Sequence, residues 1–271
     1  MNIKKDSEIM KRIVLMTLCS VFAFLFVSCG KGENDNVRLD GSVWHGTAPF
    51  TYPYEDYSST GEYTVSFTDS INGVFLILVE DYYENYGVVM PFTYTFDGEK
   101  VILNLQVDDY LLEKSIKNGK NKRMPAKANF TATATCKDGT LYVKLPFIDW
   151  VMEAQTVQMT RVKLHDCSPL DGTIWEYDFY DTEKGEIQTH YKYTLTFQSD
   201  SKAVLDMECS DTEGYSEHIS TPMTYSYCNG VGLFEAEDIV TGEIIHAGFY
   251  TPTANELYFV AAEVGFVFEK R

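Results

Sequence analysis

Five histidines, His45, His165, His190, His218 and His246, are the residues of this 271-residue chain from which metal or proton-transfer chemistry would be built. They are scattered. No two stand at His-x-x-x-His spacing, and none sits in the Glu-flanked pair that brings two imidazoles to one zinc. His165-Asp166-Cys167 sets an imidazole, a carboxylate and a thiol side by side, the residue types of a nucleophilic trio. Neighbours in an extended segment point in different directions, so the three cannot all face one reacting atom. They read as part of a polar connection that ends in Ser168-Pro169. No Gly-x-Ser-x-Gly elbow and no phosphate-cradling Gly-rich loop occurs. Carboxylates crowd at Glu80-Asp81, Asp108-Asp109 and Glu235-Ala236-Glu237-Asp238, and Ca²⁺ takes six to eight such oxygens. None has the spaced Asp/Asn-Gly-Glu pattern of an EF-hand, and solvated strand ends explain them. The residues therefore assign no catalytic group, no metal and no cofactor.

Recognition has better candidates. Tyrosine is the compositional outlier, at 19 residues. Phe50, Tyr52, Tyr54 and Tyr57 fall in one apparent loop, and Tyr82, Tyr83 and Tyr86 in another. An aromatic ring with a polar handle suits stacking on a sugar or anchoring a protein partner. The competing reading is that Tyr favours strands and their ends, with Pro49 and Pro53 folding the first loop over a barrel mouth.

Composition narrows the partners. The chain is 45% apolar and carries 22 basic against 40 acidic side chains, a net charge of −18. Nucleic-acid binding draws on Lys and Arg at phosphates, so nucleic acid is excluded as an expected partner. The first residues carry an address: Lys4, Lys5, Lys11 and Arg12, then the fifteen-residue apolar stretch Ile13 to Val27, then Ser28 before Cys29. This is a secretory leader, too short to span a bilayer comfortably. Leu25-Phe26-Val27-Ser28-Cys29-Gly30 resembles the lipobox of bacterial lipoproteins, which implies cleavage after residue 28 and lipidation of Cys29. Several acyl chains anchor a protein stably without a transmembrane helix. Residues 1–28 hold four basic and two acidic side chains, so their loss takes the net charge from −18 to −20. Residues 29–38 are then the lipidated cysteine and a polar, flexible tether. Glu33 and Asp35 are similar to surface-export signals of Bacteroidota lipoproteins, and the periplasmic or surface face stays open.

The elements that position these residues come from an internal repeat. Leu39-Asp40-Gly41-Ser42-Val43-Trp44 returns as Leu170-Asp171-Gly172-Thr173-Ile174-Trp175 at an offset of 131, followed in the same order by Tyr63 to Phe67 with Tyr193 to Phe197, at 130, and Pro91 to Tyr94 with Pro222 to Tyr225, at 131. Leu141-Tyr142-Val143 matches Leu257-Tyr258-Phe259 at an offset of 116, so the first copy carries about fifteen extra residues before it. Two domains follow, at 39–162 and 170–271. Apolar residues alternate with period two in both, and Asp97-Gly98, Asp138-Gly139 and Asn229-Gly230 supply hairpin turns. About eight strands per copy are expected, starting near 42, 62, 73, 89, 100, 128, 139 and 156, then near 173, 189, 202, 220, 231, 243, 256 and 264. Eight locally joined strands close into a barrel whose interior side chains fill or which holds one small ligand.

The expected fold class is thus all-β: two tandem antiparallel meander β-barrels with a short helix inserted in the first, over Asp109 to Lys120. The run Val74 to Val79 breaks the alternation and predicts a strand covered on both faces at the contact between the barrels. Two arrangements are open, a rigid pair with a shared groove or two beads on Lys163 to Ser168. Cys136 and Cys209, on apolar phases, read as buried free thiols in preference to a bridge, while the spacings of Cys136, Cys167, Cys209 and Cys228 select no pairing.

The opening Leu-x-Gly-x-x-Trp, the Tyr-Thr-x-x-Phe strand and the meander hairpins of both copies resemble the lipocalin-like lipoproteins of Bacteroidota. Gly41 and Trp44, like Gly172 and Trp175, stand one residue further apart than in the Gly-x-Trp of lipocalins. The resemblance implies a lipid-anchored cell-envelope protein, at the outer membrane, and carries no catalytic residues. Asp69-Ser70-Ile71 resembles the short O-glycosylation site of exported Bacteroidota proteins, which implies modification at Ser70. The functional expectation is a non-catalytic binding or scaffold lipoprotein whose partner is a small molecule, a glycan or an envelope protein. The alternatives are a hydrolase or isomerase acting on an envelope or dietary substrate, and an inhibitor presenting its 47–60 loop to a hydrolase.

Overall fold

A computed structural model describes residues 38–51, 58–80, 85–108, 127–148, 151–183, 186–199, 201–237, 242, 244–261 and 264–271. Every regular element among them is a strand. The first eight are β1 (Ser42–Thr51), β2 (Ser58–Phe67), β3 (Asn72–Glu80), β4 (Asn85–Phe96), β5 (Lys100–Asp108), β6 (Lys127–Lys137), β7 (Thr140–Leu145) and β8 (Gln155–Val162). The second eight are β9 (Ile174–Glu183), β10 (Glu186–Phe197), β11 (Lys202–Asp211), β12 (Ser216–Cys228), β13 (Val231–Glu237), β14 (Ile244–Tyr250), β15 (Glu256–Ala261) and β16 (Val264–Lys270). Each set is a closed antiparallel meander, sealed by β1 on β8 and by β16 on β9. The sequence pattern therefore specified the architecture and most strand starts. The expected helix over Asp109 to Lys120 lies outside the described residues.

The duplicated hexapeptide forms the same device in both barrels. Gly41 and Gly172 adopt positive φ, 69° and 78°, a conformation that disfavours any side chain. Their N–H groups donate to Phe67 O and Phe197 O, both at 2.8 Å. The hydroxyl two residues before each Trp, on Ser42 or Thr173, accepts the indole N–H at 2.8 and 3.0 Å. Leu39, Trp44, Leu170 and Trp175 are thereby buried at one end of their barrels.

Both interiors are filled by alternate side chains. In the first, Tyr63, Phe67, Phe75, Ile77 and Met90 are inaccessible to solvent. In the second, Phe197, Phe234 and Phe249 form one aromatic cluster with ring centroids 4.6 to 5.8 Å apart. The buried polar residues among those described are Ser42, Thr64, Ser66 and Thr251, none of them an acid or a base.

The two copies differ at the end opposite the hexapeptide. Nine residues join β7 to β8, against two between β15 and β16. The longer connection returns Ile148, Val151 and Met152 into the first core, where Ile148 bridges Met152 and Glu153 N donates to Thr51 O at 3.2 Å. In the second barrel the inward-phase residues Phe179, Ile219 and Ile245 at that end are 45, 42 and 41% exposed.

The barrels form a docked pair. All six residues from Val74 to Val79 are buried: one phase fills the first core and the other, Val74, Leu76 and Leu78, meets the second barrel's side. Leu76 lies against Gly248, where an added Cβ would stand 2.2 Å from a Leu76 methyl. Asn229 Nδ2 donates to Gly41 O at 2.7 Å and the Tyr250 hydroxyl to Glu62 at 3.2 Å. The connection is laid along the second barrel: Leu164 is buried over Gly230, and His165 exchanges bonds with Thr251 through N to O at 3.0 Å and Oγ1 to O at 2.6 Å. The rigid-pair arrangement holds, and the bead arrangement does not.

Candidate functional site

Docking two convex barrels leaves a groove of about 810 Å³. One wall is the outer surface of β4, β5 and β6. Phe92, Leu103, Leu105 and Val107 point into the core, so strand alternation turns Thr93, Asn104 and Gln106 outward. Register then pairs Thr93 with Asn104 and Gln106 with Asn129, which brings three carboxamides and a hydroxyl together on one face. Among the described residues none of these four side chains has a protein hydrogen-bond partner. The opposite wall is the β12–β13 hairpin, with Ser226, Cys228 and Leu233 facing the groove.

The head of the groove is the β2–β3 turn. Asp69 accepts bonds from Ile71 N and Asn72 N, both at 2.8 Å, and from Asn72 Nδ2 at 2.9 Å. These bonds hold its carboxyl below the ordinary range, with Asn72 the strongest cause. The Tyr94 hydroxyl donates to Asp69 O at 2.7 Å and fixes the turn to the barrel. Among the described residues Asp69 is the one charged residue lining the groove. Ser70 is exposed on the same turn, as a modified residue would have to be.

Of the aromatic recognition residues, Phe50 occupies the inward phase of β1 and is completely buried in the first core, beyond reach of any partner. This corrects its reading as a recognition residue: the phase that places Trp44 inside places Phe50 inside as well. Tyr86 belongs to β4, and its side chain lies outside the described residues, as do Tyr52, Tyr54, Tyr57, Tyr82, Tyr83 and the lipidation position Cys29.

The trio at 165–167 does not converge. Asp166 accepts from Ser168 N at 3.0 Å, and Cys167 N donates to the Tyr227 hydroxyl at 2.8 Å while its thiol faces Thr253 O. Burial pushes the Cys167 thiol upward, away from the nucleophilic thiolate. Cys136, Cys167, Cys209 and Cys228 are all free thiols. Cys209 is buried, as its phase predicted, whereas Cys136 is only partly buried against the first core. Three histidines on the second barrel pair with carboxylates: His190 with Asp178 at 2.8 Å, His218 with Asp206 at 3.4 Å and His246 with Glu235 at 3.7 Å. Tyr180 stacks on His190 with ring centroids 4.3 Å apart. No group of three potential metal ligands occurs among the described residues.

His45 and Glu62 lie on the outward phase of β1 and β2. His45 Nδ1 meets Thr64 Oγ1 at 3.0 Å, and burial lowers the imidazole to about 4. Burial raises Glu62, opposed in part by the bond from Tyr250. Comparison with protein-family models found no match, and no curated protein matches the chain in sequence.

Proposed function

We propose that this protein is an exported, lipid-anchored cell-envelope lipoprotein that binds rather than transforms its partner, with the groove between the barrels as its recognition surface. The observation that carries the reading is the contrast between inside and outside. Among the described residues the interiors are filled by aromatic and aliphatic side chains without a buried acid or base, whereas the groove presents partnerless carboxamides in a volume within the range of small-molecule sites, about 300–1,000 Å³. Hydrolysis or isomerisation would call for convergent groups with shifted pKa values in an open cavity. Asp69, at the head of the groove, is lowered by bonds within its own turn, and burial raises Tyr227 and Cys228 on the β12–β13 side, while His45 and Glu62 are set on outer barrel faces and do not line the groove. The described lining thus holds a carboxylate already engaged by its turn and no imidazole.

The leader, Cys29 and the tether support the envelope address and an anchor at the outer membrane. Cys29→Ser tests it: the variant protein leaves the membrane fraction and loses the mass of the acyl chains. Retention of both membrane association and mass would sink the lipoprotein reading. A second binding reading rests on the exposed Phe179, Ile219 and Ile245 at the end of the second barrel opposite its hexapeptide, which favour an apolar small molecule. Titration with a fatty acid and a bile acid separates the two. Binding lost in Phe179→Ser and retained in Asn104→Ala assigns the barrel end, and the reverse assigns the groove.

A further inference from the structure

Resting on the reading of the groove as the recognition surface, we propose that its ligand is a neutral glycan, a short uncharged oligosaccharide held by Asn104, Gln106, Asn129 and Thr93. Charge decides the first half. Among the described residues no Lys or Arg lines the groove, the chain carries a net charge of −18, and Asp69 already accepts three bonds from its own turn. An anionic ligand would meet no counter-charge in that lining, and a cation would find a single carboxylate whose bonds are largely spent.

Hydrogen-bonding type decides the second half. A carboxamide offers donors and acceptors in one plane, and a sugar hydroxyl is both donor and acceptor, so adjacent hydroxyls match adjacent carboxamides. The pairings Thr93–Asn104 and Gln106–Asn129 set three carboxamides and a hydroxyl on neighbouring strands. Directly opposed residues in a sheet stand about 4.5–5.5 Å apart, a spacing that repeats along an extended ligand. Pro91 and Leu233 add apolar surface for the C–H faces of the rings. An extended peptide is the poorer match. Both barrels are closed, so the groove walls offer no free strand edge to which a peptide could add by main-chain pairing.

The test is calorimetric titration of the full chain, expressed with its own leader, against maltotetraose, cellotetraose, xylotetraose and mannotetraose. A sulfated tetrasaccharide and a neutral Gly/Ser peptide serve as comparators. We expect at least one neutral tetrasaccharide to bind, the comparators to bind at least tenfold more weakly, and Asn104→Ala/Gln106→Ala to weaken the neutral sugar at least tenfold. These side chains have no protein partners, so an unchanged melting temperature certifies the fold of the variant. Absence of binding by every neutral tetrasaccharide overturns the inference, as does binding that the double variant leaves intact. The two levels separate: a fatty acid, bile acid or peptide that binds and is lost in the double variant retains the groove and refutes the glycan. Binding lost only in Phe179→Ser refutes the groove itself.

Discussion

Acidification isolates the contribution of one half-buried imidazole, His45. Burial lowers its pKa from 6.5 to about 4. The folded state therefore holds this side chain neutral through a range in which the unfolded chain protonates it. Below pH 6.5 the unfolded state binds the extra proton, so stability is fully present above that value and is lost as pH falls toward 4. Each pH unit carries about 1.4 kcal/mol, giving roughly 3 kcal/mol over the whole interval and about 2 kcal/mol between pH 7 and pH 5. Stopping at pH 5 keeps the protein above its isoelectric point of about 4.6, where association would intrude. Glu62 works in the opposite direction, because its raised carboxyl is better tolerated as the pH falls. A direct pH profile would mix the two, so the measurement is a difference. Urea unfolding followed by tryptophan fluorescence is compared for the native chain and His45→Gln, whose amide reaches Thr64 without titrating. The gap between the two should narrow by about 2 kcal/mol from pH 7 to pH 5. A gap constant to within a few tenths of a kcal/mol would refute the argument that burial keeps His45 neutral.

Glu62→Gln should stabilise the protein at pH 7 to 8 and lose that advantage as the pH falls toward 4.5, because the native carboxyl then takes up its proton; thermal melts at the two ends check the sign. Tyr250→Phe removes the donor that faces Glu62 across the barrel contact and should cost about 1–3 kcal/mol in urea titrations at neutral pH. Gly248→Ala places a methyl group 2.2 Å from Leu76 and should cost about 1–3 kcal/mol through overpacking, with protease cleavage of the pair as the second readout. Ser42→Ala and Thr173→Val each strip the acceptor from a buried indole and should cost about 1–3 kcal/mol apiece in separate melts, since the two copies use the same device.

Strand alternation and hairpin dipeptides made the two barrels legible, because each apolar phase had one core to fill. The hexapeptide repeat was legible for the same reason: positive φ at Gly41 and Gly172 and the Trp–hydroxyl bond are local requirements that leave residues in fixed order. Val74 to Val79 announced the contact between the barrels, since a strand apolar on both phases needs two coverings. What the pattern could not show was which outward residues the docking brings together. Asn104 and Gln106 alternate with Leu103 and Leu105, and in sequence that is only a wet face. Their role as a groove wall depends on the β12–β13 hairpin, more than 100 residues away in the chain. Phe50 was misread because a loop of aromatics surrounds it, while its own strand phase assigns it to the core.

The two copies diverge where a ligand would enter a barrel. Nine residues between β7 and β8 let the first barrel seal its end with Ile148, Val151 and Met152, and the connection between β15 and β16 has only two; among the described residues Phe179, Ile219 and Ile245 stay partly exposed at the corresponding end. Sealing costs the first barrel an internal site and gives it a rigid outer wall. That wall is worth having only if something is set opposite it, and the buried run Val74 to Val79 together with the stapled connection at Leu164 and His165 holds the second barrel there. A single barrel of this sequence would carry the carboxamides of β5 and β6 on an open convex surface, where water competes for every hydrogen bond. On the proposed reading, pairing makes that surface one side of a groove, where a ligand would displace water and meet groups on both sides. On that reading the duplication supplies by packing what neither filled barrel has inside, with one copy as the wall that presents the polar groups and the other as the wall set opposite it.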